Sequence, residues 1–134
     1  MKARRYLQAG GALMMVVGLA RYAGGMALLV RGGAIDPSIQ AGRAAVASVG
    51  ASLVLVGLLL IVAGVGVLRR RRLYWLVGAV ATIAFVLGGL MNGTVLYGRP
   101  GGAGTALNVV AAGALIACLW LGRGALEGVR KEGP

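Results

Sequence analysis

The residue with the most unusual setting for chemistry is Arg21, a cation inside the first of four long apolar runs. A charged side chain near the centre of a bilayer costs about 2.5–3.5 kcal/mol on insertion scales, so it needs partners or a route to water. No acidic residue lies in any of these runs, which leaves backbone carbonyls, amide side chains, water or a bound anion. Arg21 either belongs to a polar pocket or extends along its own helix to the membrane interface.

Polar side chains that could meet Arg21 lie toward the same end of the four runs. Asn92 and Asn108 stand at similar distances from the turn that joins two antiparallel segments, so they are expected at nearly the same depth. Hydrogen bonding between helices is an alternative role for both amides. We predict an outward-facing pocket for an anionic or strongly polar group, and its ligand-binding residues would be Arg21, Tyr22, Ser52, Asn92 and Asn108.

Most catalytic chemistry is excluded by the residues that the chain lacks. The sequence has no histidine, and its only acids, Asp36, Glu127 and Glu132, lie outside the apolar runs. There is therefore no Ser-His-Asp triad, no carboxylate pair at membrane depth and no histidine ligand for zinc or haem. We interpret the single cysteine, Cys118, as a small apolar residue. The expected protein is not an enzyme and has no metal and no cofactor.

The elements that must position these residues are the four runs, at residues 7–30, 44–68, 73–97 and 105–121. The 134-residue chain is 59% hydrophobic and 13% charged, with a mean hydropathy of +0.88, whereas soluble domains are about one quarter charged. Runs of about 20 apolar residues cross the ~30 Å hydrocarbon core as helices. The composition predicts one all-α domain, residues 1–134, forming an integral membrane four-helix bundle of two transmembrane hairpins.

The orientation of the bundle follows from four adjacent arginines at residues 69–72, between the second and third runs. Such a cluster stays on the cytoplasmic side of a membrane. Ten lysines and arginines fall on that side, and only Arg31, Arg43 and Arg99 fall on the other. The bias predicts cytoplasmic N- and C-termini, with anionic lipid head groups as partners at the cytoplasmic face. Because the cations lie at the ends of runs, the net charge of +11 predicts no nucleic-acid partner.

Glycines recur every seven residues along the first two runs. A seven-residue period keeps small residues on one side of a left-handed helix crossing. In lipid, close approach of two backbones supplies much of the attraction between helices. We predict that the first two helices pack tightly along these glycines, which are Gly11, Gly18 and Gly25 in the first run and Gly50, Gly57 and Gly64 in the second.

Residues 43–122 consist of a glycine-rich helix (ASVGASLVLVGLLLIVAGVGVL), a short basic turn, a third helix, a Gly-Arg-Pro turn and a fourth helix. This order resembles the DoxX-like group of small bacterial inner-membrane proteins over about two thirds of the chain. The resemblance implies a four-helix fold and a multi-pass location in a bacterial inner membrane. It implies no functional residues.

Two functional classes remain open. The small size, the glycine seams and the missing catalytic groups favour a non-catalytic membrane module. Such a module would be an accessory subunit of a larger membrane complex or a binder of a lipid or small apolar ligand, and it would pack with partner proteins or as a homo-oligomer. Arg21 and its polar neighbours favour the alternative, a small oligomeric transporter or channel for an anionic or polar solute. Membrane lipids are expected partners in either case.

Overall fold

The apolar runs form four long helices in this computed structural model, which describes residues 2–99 and 103–127. These helices are α1, Lys2–Arg31; α2, Arg43–Leu68; α3, Arg72–Tyr97; and α4, Ala103–Gly122. A turn of 3-10 helix at Gly32–Ile35 follows α1, and a short helix α5, Gly124–Glu127, follows α4. Within the described residues there is no strand, so the predicted all-α class is confirmed.

All four long helices are long and apolar enough to cross a membrane, which fits a multi-pass membrane protein. Their outward sides are also apolar: Leu55, Leu73 and Leu107 are each 68–70% exposed. An exposed apolar surface of this extent is typical of contact with lipid. α1 begins before the predicted run because its basic first turn, rich in good helix formers, continues the helix. The predicted turn at residues 98–104 and the polar tail lie partly outside the described residues.

The helices form a bundle in which each one packs against two neighbours. α2 lies beside α1 and α3, and α4 lies beside α3 and α1, so α1 and α3 are diagonal to each other. The short connections make successive helices antiparallel. One end of the bundle carries residues 69–72, the start of α1 and the end of α4, and we call it the tetrad end. The other, which carries residues 32–42 and the α3–α4 connection, is the loop end.

The closest contact in the bundle is between α1 and α2. A Cβ atom built on Gly18 would lie 2.7 Å from the carbonyl oxygen of Gly57, so no larger side chain fits there. The same close approach recurs at three levels along both helices, and the facing pairs are Gly11 with Gly64, Gly18 with Gly57, and Gly25 with Gly50. The two backbones therefore touch along nearly the whole length of the pair, which fixes how α1 and α2 are rotated about their axes.

The half of the bundle nearer the tetrad end has a filled apolar core. Met14, Leu60, Ala81 and Leu115, one from each long helix, are each 0% exposed. Thr82 is buried among them, and its hydroxyl donates a hydrogen bond to the carbonyl oxygen of Gly78 at 2.8 Å. A smaller apolar cluster lies at the loop end and consists of Leu28, Val46, Val49 and Leu96. Apart from Thr82, the polar residues of the bundle interior lie between these two clusters.

Candidate functional site

A cavity of about 360 Å³ opens between the two apolar clusters at the loop end, and we call it the loop-end cavity. All four long helices contribute to it, together with residues from the connections at this end. No acidic side chain is found in its lining among the described residues. Its polar side chains are arginines and neutral hydrogen-bonding groups. They include Arg21, Ser38, Asn92, Arg99, Thr105 and Asn108.

Arg21 reaches this cavity from the middle of α1. Its guanidinium carbon lies 4.5 Å from the centroid of the Phe85 ring, in a cation–π contact. Its Nη2 atom is buried and has no hydrogen-bond partner. A buried donor without an acceptor carries the full free-energy cost of losing water. None of the described residues therefore supplies an acceptor for the Nη2 atom of Arg21.

Gly89 on α3 lets two polar side chains approach the same point. A Cβ atom on Gly89 would lie 2.8 Å from Asn108 Nδ2 and 3.3 Å from Arg21 Nη2. Because Gly89 has no side chain, the guanidinium from α1 and the amide from α4 can both lie against the backbone of α3. Both nitrogens are donors. Two donors from different helices thus border one small space, and the group that would complement them is an acceptor.

Asn92 is held from behind by Ser52. The Nδ2 atom of Asn92 donates a hydrogen bond to Ser52 Oγ at 3.1 Å, and Ser52 Oγ donates to the carbonyl oxygen of Val49 at 2.8 Å. Asn92 lines the loop-end cavity, whereas Ser52 does not. The pair joins α2 to α3 and fixes the side chain of Asn92 at the cavity wall.

The five residues predicted to bind a ligand are placed differently by the structure. Arg21, Asn92 and Asn108 line the loop-end cavity together, and Ser52 lies behind Asn92. Tyr22 is not part of the lining. It lies on the α1–α2 contact instead, where its backbone nitrogen would be 2.7 Å from a Cβ atom on Gly57.

Asp36 joins the α1–α2 loop to the end of α3 at the mouth of the cavity. We call Asp36, Ser38 and Tyr97 the rim. The Asp36 carboxylate accepts hydrogen bonds from the backbone N–H of Ser38 at 2.9 Å, the Ser38 hydroxyl at 2.6 Å and the Tyr97 hydroxyl at 3.3 Å. The bonds from Ser38 lower the pKa of Asp36 below its ordinary value. Gln40 adds a backbone hydrogen bond to the carbonyl oxygen of Leu96 at 3.0 Å. Since Ser38 and Tyr97 also line the cavity, this network sets the shape of its mouth.

Sequence reasoning missed Phe85, Gly89 and Arg99, which all contact or line the site. A signal for two of them was present in the sequence. Phe85, Gly89 and Asn92 are spaced by four and three residues, which places them on one face of a helix. Arg99 follows the end of α3, and nothing in its local sequence indicates that it belongs to the cavity.

The donor set of the site favours anion binding over metal binding. Among the described residues there is no group of three or more histidine, cysteine, aspartate or glutamate side chains that could hold a metal ion. Comparison with known proteins finds no matching family model, no matching curated protein and no matching solved structure. The functional assignment therefore depends on the geometry of the site itself.

Proposed function

We propose that this protein is a non-catalytic membrane module that binds the anionic head group of a lipid in the loop-end cavity. The observation that carries the proposal is the buried Nη2 atom of Arg21, which has no acceptor. A phosphate oxygen would provide one, because guanidinium groups bind phosphate through short, charge-assisted hydrogen bonds.

The charge of the lining supports an anion over a neutral ligand. Arg21 and Arg99 both line the loop-end cavity, and the amide of Asn108 adds a donor beside Arg21. The nearby carboxylate of Asp36 already accepts three hydrogen bonds from the rim. An anion between the two arginines would offset two positive charges that otherwise meet no opposite charge within the cavity lining.

A lipid is the source of the anion in this proposal because the cavity opens at one end of a bundle with apolar outer sides. The tetrad end faces the cytoplasm, since clustered arginines are kept on that side, so the loop-end cavity faces the outer leaflet. The resemblance of residues 43–122 to DoxX-like proteins supports a bacterial inner membrane as the location.

The packed core favours binding over transport. Toward the tetrad end, Arg21 is followed by Phe85 at 2% exposure and by Met14, Leu60 and Leu115 at 0%. A solute that crossed the bundle would have to displace this layer. The cavity is open at the loop end, where Val49 and Leu96 of the smaller apolar cluster form part of its wall, so a head group could enter and leave from that side only.

The test is lipid retention by the purified protein, measured by native mass spectrometry during titration with phosphatidylglycerol. We expect Arg21→Gln to weaken binding at least about tenfold, since a hydrogen bond to a charged group contributes about 1.5–3 kcal/mol. Arg31→Gln is the matched control, because it removes an exposed cation from the same end of the bundle without touching the cavity. Equal retention by both variants would overturn the proposal.

Two further measurements separate this function from the alternatives. Inorganic phosphate at high concentration should not displace the lipid; if it does, the site binds a free anion. Arg21→Met should raise the free energy of unfolding by about 1 kcal/mol, since it removes a guanidinium whose buried Nη2 atom has no acceptor, whereas a purely structural arginine would lower it on removal. A solute flux across liposomes that disappears in Arg21→Met would support the transporter instead.

A further inference from the structure

A second cavity, of about 260 Å³, lies at the tetrad end between α2 and α3. We call it the tetrad-end cleft. One wall is apolar and belongs to α2, and the other carries two of the four adjacent arginines. Val62 and Val65 belong to the apolar wall, Arg69 and Arg71 belong to the basic wall, and Gly66 and Tyr74 lie between them.

The turn after α2 directs alternate arginines of the tetrad to this cleft. Arg71 N donates to the carbonyl oxygen of Gly66 at 3.2 Å, and Arg70 N donates to that of Val67 at 2.9 Å, which together form a Schellman motif. Arg70 has a φ of +55°, in the left-handed region where glycine is usual. An arginine in this conformation costs free energy relative to glycine. As a result of this turn, Arg69 and Arg71 line the cleft while Arg70 and Arg72 do not.

The floor of the cleft is the ring of Tyr74, which is seated on the backbone of α2. The ring occupies the space that a side chain at Gly66 would take. Tyr74 is thereby fixed beside Arg71, whose carbonyl oxygen accepts a hydrogen bond from Tyr74 N at 3.0 Å. The turn backbone and the floor of the cleft are therefore fixed by hydrogen bonds in the turn and by the packing of Tyr74 on α2.

The first turn of α3 supplies no negative charge to the N-terminal end of that helix. Arg71 is its N-cap residue and makes no side-chain cap hydrogen bond, and the first turn contains no acid. The N-terminal end of a helix carries a partial positive charge, so adjacent arginines there repel it. The C-terminal end of α2 carries the opposite partial charge and attracts the same cations. An anion in the cleft would be attracted by the arginines and by the start of α3 together.

We propose that the tetrad-end cleft binds the phosphate group of one anionic phospholipid, between Arg69 and Arg71, at the face opposite the loop-end cavity. The occupant is a lipid because the basic wall adjoins an apolar wall that is open to the membrane: Val62 is 51% exposed. The cleft is smaller than the pockets of about 300 Å³ and above that take drug-sized ligands, so it suits a single head group. This proposal does not depend on the function proposed for Arg21.

The test compares two double variants that remove the same charge from the same tetrad. R69Q/R71Q removes the arginines that line the cleft, and R70Q/R72Q removes the two that do not. Both proteins are titrated with phosphatidylglycerol in detergent, with Arg21→Gln as the background so that the loop-end cavity does not contribute, and bound lipid is counted by native mass spectrometry. We expect R69Q/R71Q to lose at least about tenfold in affinity and R70Q/R72Q to change little.

Equal losses in the two double variants would show diffuse attraction by the tetrad as a whole and would overturn the proposal, as would no loss in either. Phosphatidylcholine, which has the same acyl chains and no net charge, should not bind tightly to the unsubstituted cleft. Displacement of phosphatidylglycerol by inorganic phosphate would refute the assignment of a lipid. Because the side chains of Arg69 and Arg71 are exposed, thermal unfolding of R69Q/R71Q should match that of R70Q/R72Q.

Discussion

The two halves of the bundle use the same helices and the same seven-residue spacing, yet the half nearer the tetrad end, the tetrad half, is filled, and the half nearer the loop end, the loop half, contains a cavity. Four interior positions of the filled half, one on each long helix, can be compared with the positions seven residues away toward the loop end. The pairs are Met14 and Arg21 on α1, Leu60 and Leu53 on α2, Phe85 and Asn92 on α3, and Leu115 and Asn108 on α4. A step of one heptad therefore replaces three apolar side chains by polar ones.

The difference between the halves indicates where this chain gives up stability. Met14, Leu60 and Leu115 are fully buried and fill their layer, whereas the next layer leaves a cavity and a guanidinium nitrogen without an acceptor. On α1 and α2 the following heptad step is apolar again, with Leu28 and Val46 both buried. A single polar layer between two apolar ones is a local departure from good packing, and such departures are typical of functional sites.

The largest predicted effect concerns the close α1–α2 contact, which runs through both halves of the bundle. Gly57→Val places a side chain where a Cβ atom alone would lie 2.7 Å from Gly18 O and 2.7 Å from Tyr22 N, both backbone atoms. Backbone atoms cannot move aside as side chains do, so the added side chain must push α1 and α2 apart. We therefore expect a loss of about 3 kcal/mol in the free energy of unfolding. Gly24→Val is the control, since nothing lies within 4 Å of that position. Fluorescence of Trp75 during unfolding in mixed micelles measures both; equal effects would contradict the proposed role of the α1–α2 contact.

The next prediction compares the packing of the two halves at two positions on one face of α2. Leu60→Ala should lower the free energy of unfolding by about 2 kcal/mol, the low end of the usual range. The value is low because Leu60 in the unfolded state is exposed to lipid, which is as apolar as the side chain itself. Leu53→Ala, one heptad away, should cost about half as much, because Leu53 already borders the cavity and makes fewer contacts that could be lost. The same unfolding measurement compares the two variants. If Leu53→Ala is as costly as Leu60→Ala, the loop half is as well packed as the tetrad half.

Sequence reasoning was sufficient for the helices and their class, because long apolar runs, end charges and turn residues are local features. It also placed Asn92 and Asn108 at nearly the same depth, and Arg21 toward the same end, because depth follows from counting residues along antiparallel helices. It could not derive the contact of Arg21 with Phe85 or the space at Gly89. The spacing of Phe85, Gly89 and Asn92 places them on one face of α3 but does not say which helix that face meets, because helices that are apolar on most sides have no strong amphipathic face to fix their rotation.

A smaller effect tests how closely the polar layer is fitted. Gly89→Ala adds a Cβ atom at 2.8 Å from Asn108 Nδ2 and 3.3 Å from Arg21 Nη2, so both groups must shift into the cavity. These neighbours are the ends of flexible side chains, and we expect the free energy of unfolding to change by less than about 1 kcal/mol. The affinity for phosphatidylglycerol should fall about fivefold, equivalent to about 1 kcal/mol. Gly88→Ala, beside it in open space, should leave the affinity unchanged.

The smallest effect concerns the rim, which in the described part of the loop half is the feature that depends on an ionised carboxylate. Hydrogen bonds from Ser38 lower the pKa of Asp36, so the folded rim binds its proton less tightly than the unfolded chain does. The rim contact is therefore fully present above the ordinary aspartate pKa of about 3.9 and is lost only as the pH falls through the lower, folded value.

The amide proton of Ser38, which donates to Asp36 Oδ1 at 2.9 Å, reports this contact through its NMR chemical shift. We expect the shift to be constant from neutral pH to below the ordinary pKa of aspartate and to move only at more acidic pH. In Asp36→Asn the shift should be independent of pH, and phosphatidylglycerol should exchange faster at the loop-end cavity because Tyr97 is released from its carboxylate partner. A transition in the unsubstituted protein above the ordinary pKa would mean that Asp36 is not held by Ser38, and that the mouth of the cavity is open rather than fixed by the rim.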